Sequence, residues 1–315
     1  MNNYYPEGYL IKTKENKNIL SSSYENLIEA KEKRTIIEAK AIVCDVEHNL
    51  IVDMLCIKGK IPRKEGAMGI QEGTTRDIAI ISRVNKPVCF VITDLKQNKN
   101  GKIEAILSRR LAQELCFENM ISKLDSGNII KAKITHIENF GVFADIGCGI
   151  VSFLPIDAIS ISRISHPNER FKIGDDINVI VKSVIGDRIN LSHKELLGTW
   201  EENAKLFNMG ETVSGITRSI ENYGIFIELT PNLAGLAEFR EGIHQGQPVS
   251  VYIKNIIPEK MKIKLVIIEI FDEKQEIKPL NYFFKGNKIE RFVYSPENCT
   301  RIIETDFTKV EAKLN

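Results

Sequence analysis

The chain of 315 residues contains no run of 18 apolar residues and no pair of cysteines spaced C-x-x-C. The first absence removes a membrane-spanning helix, and the second removes the usual zinc-ribbon and dithiol motifs. The six cysteines, at positions 44, 56, 89, 116, 148 and 299, are scattered, as expected of reduced and mostly buried thiols. No metal site and no cofactor is expected. The opening Met1-Asn2-Asn3-Tyr4-Tyr5-Pro6-Glu7 lacks the basic and apolar regions of a signal peptide, so a cytoplasmic chain with no membrane association is expected. Excess charge is also missing: 43 Lys and Arg against 42 Asp and Glu leave a net of +1. Any nucleic-acid binding must then rest on local placement and stacking rather than on bulk charge.

Catalytic signatures are absent too. There is no P-loop and no H-E-x-x-H, and Gly147-Cys148-Gly149 lacks the third glycine of a dinucleotide loop. Ser192 and His193 are neighbours, which sends their side chains to opposite faces of a strand, and Asp175-Asp176 read as a solvated loop pair. A non-catalytic protein is expected.

What the chain does have is an echo. Glu138-Asn139-Phe140-Gly141-Val142-Phe143 returns as Glu221-Asn222-Tyr223-Gly224-Ile225-Phe226, and the same offset of 83 pairs Gly127 with Gly210, Ile137 with Ile220 and Asp145 with Glu228. A whole unit is duplicated. Strand alternation puts Val142, Ala144 and Ile146 on one face and Phe143 and Asp145 on the other; in the second copy Ile225, Ile227 and Leu229 oppose Phe226 and Glu228. The glycine ahead of each strand lets Phe140 or Tyr223 come round beside the second ring, making a platform for flat apolar faces.

The run from Gly127 through Ile134, Phe140-Gly141-Val142-Phe143, Gly147, Leu154-Pro155-Ile156, Phe171, Gly174-Asp175 and Arg188-Ile189-Asn190-Leu191-Ser192 resembles the S-one repeat. This RNA-binding module is named for the largest protein of the bacterial small ribosomal subunit. The resemblance implies five-stranded barrels of the oligonucleotide-binding type, with single-stranded RNA on the face of the second and third strands. It is strong over residues 127–195 and good over 210 to about 240. Two departures stand out: Pro155 occupies a place where the family often has histidine, and the short turn Ile185-Gly186-Asp187 supplies no clear acidic residue before the last strand.

The expected fold is all-β, three such barrels in tandem joined by short helices. Its domains are an N-terminal arm over 1–33, a diverged first barrel over 34–115, a central one over 116–197, a third over 198–273 and a C-terminal hairpin tail over 274–315. The arm reads as loosely ordered and ends in a helix to Lys33, capped by Ser22 with Glu25 and striped by Leu27, Ile28 and Ala30. In the first barrel, strands are predicted over 36–44, 50–56, 78–82, 88–92 and 103–108, with a hairpin turn at Asn98-Lys99-Asn100-Gly101. Lys60-Ile61-Pro62-Arg63 stands where Phe153-Leu154-Pro155-Ile156 does, whereas His48 and Ile51 replace Phe140 and Phe143. Residues 34–115 carry 14 basic against 10 acidic side chains, a net of +4, and residues 127–195 carry 8 against 8. A helix over 111–123 joins first to central barrel, and Thr199 with Glu202 caps a second connector whose Trp200 resembles the tryptophan that the family's linkers use to dock one repeat on the next. In the tail, 282–284 and 292–294 read as a hairpin about Gly286-Asn287, packed on the third barrel.

The candidate RNA-binding residues are Phe140 and Phe143 for stacking, with Lys133, His136, Arg163 and Arg188 around them, and Tyr223, Phe226, Arg218 and Lys262 in the third barrel. The resemblance implies a monomeric protein of the translation machinery that binds single-stranded RNA, mRNA in particular, and reaches the small ribosomal subunit through its first repeat. The alternative is a protein-interaction scaffold, or an accessory factor of RNA metabolism, whose barrels have lost most RNA contact.

Overall fold

The computed structural model describes residues 4–21, 24–55, 57–97, 103–186, 188–271 and 280–309. Two helices, α1 (Lys14–Ser21) and α2 (Tyr24–Glu32), precede β1 (Ile37–Cys44), β2 (Leu50–Asp53) and β3 (Lys58–Ile61). A short helix α3 (Ile78–Ile81) leads to β4 (Pro87–Gln97), β5 (Ile103–Ser108) and the connector α4 (Arg109–Asn119). The central barrel follows with β6 (Ile129–Glu138), β7 (Gly141–Gly147), β8 (Ile150–Pro155), β9 (Asp176–Ile185) and β10 (Arg188–Ser192). After α5 (Trp200–Ala204) come β11 (Thr212–Glu221), β12 (Gly224–Thr230), β13 (Leu233–Ala237), β14 (Pro248–Ile257) and β15 (Lys262–Ile270), then the tail strands β16 (Arg291–Val293) and β17 (Glu304–Asp306).

Three closed five-stranded barrels result, and all three share one order: first, second, third, fifth and fourth strand, closing on the first. The third and fifth strands run parallel in each, through Lys60–Ile106, Phe153–Asn190 and Leu236–Lys264. Period-2 alternation drives this. In β7 Val142, Ala144 and Ile146 are buried, and in β15 Ile263 and Leu265 face the core while Lys262 and Lys264 face outward. The echoed sequence therefore encodes the same inside and outside in both barrels.

By its internal contacts the described chain divides into two compact units: residues through Leu124 with Lys131–Lys133 and Asp145–Val151, and the remainder from Asp125 onward. In the first unit the N-terminal segment is tightly packed rather than loose. The buried Glu7 carboxylate accepts from Arg109 Nε at 2.7 Å, Arg83 Nη1 at 3.2 Å and the Cys89 N–H at 3.1 Å, and the Glu7 N–H donates to Asp145 Oδ2 at 2.7 Å. Burial alone would raise the Glu7 carboxyl, but Arg109 and Arg83 hold it below the usual carboxylate range. Asn16 bridges the Glu38 backbone through both amide atoms, at 2.7 and 2.8 Å. A short arm anchored at Glu7 and Asn16 is part of the fold. In α2, Leu27 and Ala30 are buried as the stripe predicts; the cap at Ser22 and the turn at 98–101 lie outside the described residues.

Residues 78–82 are not a strand. They form α3, with Ile80 buried and Ile78 and Ile81 exposed, and the third strand is Lys58–Ile61, paired to β2 through Ile51 and Lys60. A four-residue apolar run is compatible with either period, and the pairing partner decides.

In the second unit the capping box of Thr199 and Glu202 forms, and Trp200 is 2% exposed in the core of the third barrel. The tail departs from the expected hairpin. Phe283 N donates to Leu196 O, Ile289 N to Gly127 O, and Asn287 O accepts from Ile129 N, so the backbone of 283–289 bonds to the central barrel and connector rather than to itself. The hairpin is instead β16 with β17. Phe307 and Ile289 pack with Ile180 of the central barrel, and the Tyr294 hydroxyl reaches Asn232 O in the third at 2.5 Å.

His193 sits fully buried between these parts of the unit. Its Nδ1–H donates to Ile159 O at 2.8 Å, and Nε2 lies 3.2 Å from the Tyr282 hydroxyl, which itself accepts from Asn178 N–H. Burial pushes its pKa down to about 4. Folding thus favours the neutral ring, so its contribution is complete above the unfolded value of about 6.5 and is lost as pH falls toward about 4. Urea midpoints between pH 7.5 and 4.5 should fall, and His193→Asn should flatten that dependence; an unchanged slope in the variant would assign the loss to other groups.

Candidate nucleic-acid interface

Aromatic side chains collect on the outer face of β7 and β8. Phe140, 55% exposed, precedes β7; Phe143 lies on β7 and Phe153 on β8. Their ring centroids are 6.4 Å apart for Phe140–Phe143, 5.7 Å for Phe140–Phe153 and 5.2 Å for Phe143–Phe153. Phe140 stands at 90° to Phe143 and the other two pairs are tilted by 45–48°, so the cluster is angular rather than one flat table. Such edge-to-face packing is favourable in itself and leaves faces pointing in several directions. His136 on β6 extends it, 6.2 Å from Phe143, with Nε2 2.6 Å from Glu138 Oε1.

Phe153 was not among the expected site residues, although its neighbour Leu154 reads as inward and alternation then turns Phe153 outward. Gly141 explains why the ring fits. A Cβ there would lie 2.5 Å from Leu154 O and 2.7 Å from the Phe153 ring, so β8 passes directly over this position. Gly141→Ala should therefore cost about 1–3 kcal/mol of stability and displace the third ring. Thermal unfolding and RNA titration check this; both unchanged would mean that β8 is not packed there.

The third barrel repeats the arrangement with one ring fewer. Tyr223, 69% exposed, and Phe226 are 6.2 Å apart at 90°. Leu236 pairs with Phe226 at the place Phe153 holds in the central barrel. Gly224 does the work of Gly141, since a Cβ would meet Ala237 O at 2.4 Å.

The charged candidates fare differently. Arg188 is exposed on β10, two residues from Asn190, the partner of Phe153, and Lys262 holds the matching position two residues before Lys264. Arg163 is exposed on the loop after β8. Lys133 is half-buried, with its ammonium close to Glu38 and its Cε near Gly8, so it turns toward the N-terminal segment. Arg218 is the clearest departure from expectation. It is 5% exposed, donates through Nε and Nη2 to Glu228 at 2.7 and 3.1 Å, and also pairs with Glu169. A bulge between Thr217 and Ser219 breaks the alternation that would have turned it toward the rings.

Glu228 also accepts from Arg170 Nη2. The central barrel's loop is thereby clasped to the third barrel by two guanidiniums and two carboxylates. Asn232, fully buried, adds a hub: its Oδ1 accepts from Ile161 N at 3.0 Å, and its Nδ2 donates to Lys194 O and Gly198 O, both at 2.8 Å. The two ring clusters are thus carried on barrels fixed to each other.

In the first barrel the corresponding positions hold His48, Ile51 and Lys60. His48 Nδ1 lies 3.3 Å from Asp77, and Ile51 pairs with Lys60. No ring cluster forms there among the described residues.

The S1 RNA binding domain, the S-one module, matches residues 123–194. Over 78% of its length the chain is 30% identical to small ribosomal subunit protein bS1 of Staphylococcus haemolyticus and 28% identical to that of Staphylococcus aureus, in each case covering 64% of the relative. The chain thus spans slightly less than two thirds of the length of these relatives. A multidomain protein with nucleic acid binding domains from Streptococcus pneumoniae aligns over 77% of this chain and 76% of its own at 14% identity, with a TM-score of 0.25, too low to add to the comparison of folds. The chain therefore contains an S1 RNA binding domain as its central barrel, flanked by two barrels of the same strand order.

Proposed function

We propose that this protein is a non-catalytic binder of single-stranded RNA acting in translation, holding mRNA at the small ribosomal subunit in the cytoplasm. The observation that carries the reading is the cluster of exposed Phe140 with half-buried Phe143 and Phe153 on the β7–β8 face of a barrel that matches an RNA-binding domain. Bases stack on these rings, His136 widens the surface, and Arg188 and Arg163 meet the phosphates. Tyr223, Phe226 and Lys262 form a second, poorer station. Because the clasp fixes the two barrels, an RNA spanning both gains avidity without new contacts at either.

The first barrel, with no ring cluster among its described residues but with a net of +4, serves attachment to an acidic partner, the small ribosomal subunit. Titrating an unstructured oligoribonucleotide at several salt concentrations tests the reading. RNA binding requires a falling log K with log salt, about 0.7 per phosphate neutralised on a single strand, whereas a protein scaffold gives none.

A further inference from the structure

In each barrel the last two strands meet at one equivalent pair: Val91 with Ser108, Ile180 with Ser192 and Tyr252 with Val266. Val91 and Ile180 are fully buried on the outside of their barrels. Ile180 shares a core with Ile289 and Phe307 of the tail, and α2 and α4 pack along β4, the strand that carries Val91. Among the described residues the third barrel leaves the same face open. Tyr252, Val266 and Ile268 are 38, 42 and 55% exposed, and Lys254, Lys262 and Lys264 stand exposed among them, with Glu259 and Glu269 at the ends.

This face is continuous with the ring pair. Phe226 on β12 pairs with Leu236 on β13, Leu236 with Lys264 on β15, and Lys264 with Asn255 on β14, next to Lys254. One step along the strands lies Tyr252. We propose that the β14–β15 face is a further single-stranded RNA subsite: a strand leaving Tyr223 and Phe226 crosses Leu236, passes its phosphates over Lys264 and Lys254, and stacks a base on Tyr252. The lysines supply the charge complementarity, and the tyrosine ring supplies a stacking face that every base can use. The subsite rests on the RNA-binding reading above and lengthens its footprint.

The test is the full chain carrying Tyr252→Ala and Lys254→Ala, compared with Tyr223→Ala and Phe226→Ala, against unstructured RNAs of increasing length. Both changes lie at exposed positions, so an unchanged melting temperature is the check on folding. The expected result is affinity for the shortest bound RNA within twofold of the parent, at least fivefold weaker binding of the longest, and a salt slope shallower by about 0.7 for the one lysine removed. If the ring variant weakens long RNA but the Tyr252 and Lys254 variant does not, the subsite is wrong and the platform stands. If neither variant weakens RNA, and the face instead binds a protein, the underlying reading fails with it.

Discussion

Replacing Phe140 and Phe143 together by alanine is expected to weaken binding of unstructured RNA at least tenfold. Two stacking faces at about 1–3 kcal/mol each would allow considerably more, and the retained Phe153 and the second station limit the loss. The melting temperature should barely move, because Phe140 is 55% exposed and the buried layer beneath the rings is Val142, Ala144 and Leu154. Fluorescence anisotropy with a labelled RNA, paired with a thermal melt, reads both quantities. A large drop in stability with unchanged affinity would make the cluster part of the packing rather than the binding surface. Removing Tyr223 and Phe226 as well should cost more than either pair alone, since the two stations act on one strand.

Glu228→Ala should be the most destabilising single change in the second unit. It leaves Arg170 buried with no carboxylate on its Nη2 and strips Arg218 of two hydrogen bonds, while all three side chains are 5–6% exposed. Breaking a buried pair from one side costs about 3–5 kcal/mol. Glu304→Ala, which breaks the exposed pair with Arg291, should cost about 0–1 kcal/mol and serves as the control. Urea denaturation measures both. Equal, small effects would show that the barrels are not clasped through Glu228, and the avidity argument would lose its basis.

The barrels were legible because their information is local and periodic. The echo of residues 138–143 at 221–226, with alternating apolar positions after each glycine, specifies the second strand and its inside face in both copies. Features set by distant partners were not. Whether 78–81 is helix or strand depends on β3 occupying the ladder beside β2, and the tail's path depends on bonds from Phe283 and Ile289 to residues more than 80 positions away. Arg218 reads as outward on strict alternation; one bulge redirects it into a buried network with Glu169 and Glu228. Lys133 likewise falls beside the rings on its sequence, because nothing in its own strand announces the N-terminal segment that meets it. Phe153 is a different case, since the pattern around Leu154 already turned it outward and only its company with Phe140 and Phe143 needed the structure.

The measurement that tests the central claim most directly is the affinity of the full chain for an unstructured single-stranded RNA as salt is raised, made alongside the Phe140→Ala, Phe143→Ala variant. The account predicts measurable binding whose log K falls linearly with log salt, and a variant line displaced downward by at least tenfold at every salt concentration with nearly the same slope, since rings carry stacking and not charge. Binding that is absent at low salt, or that is equally strong in parent and variant, would contradict it.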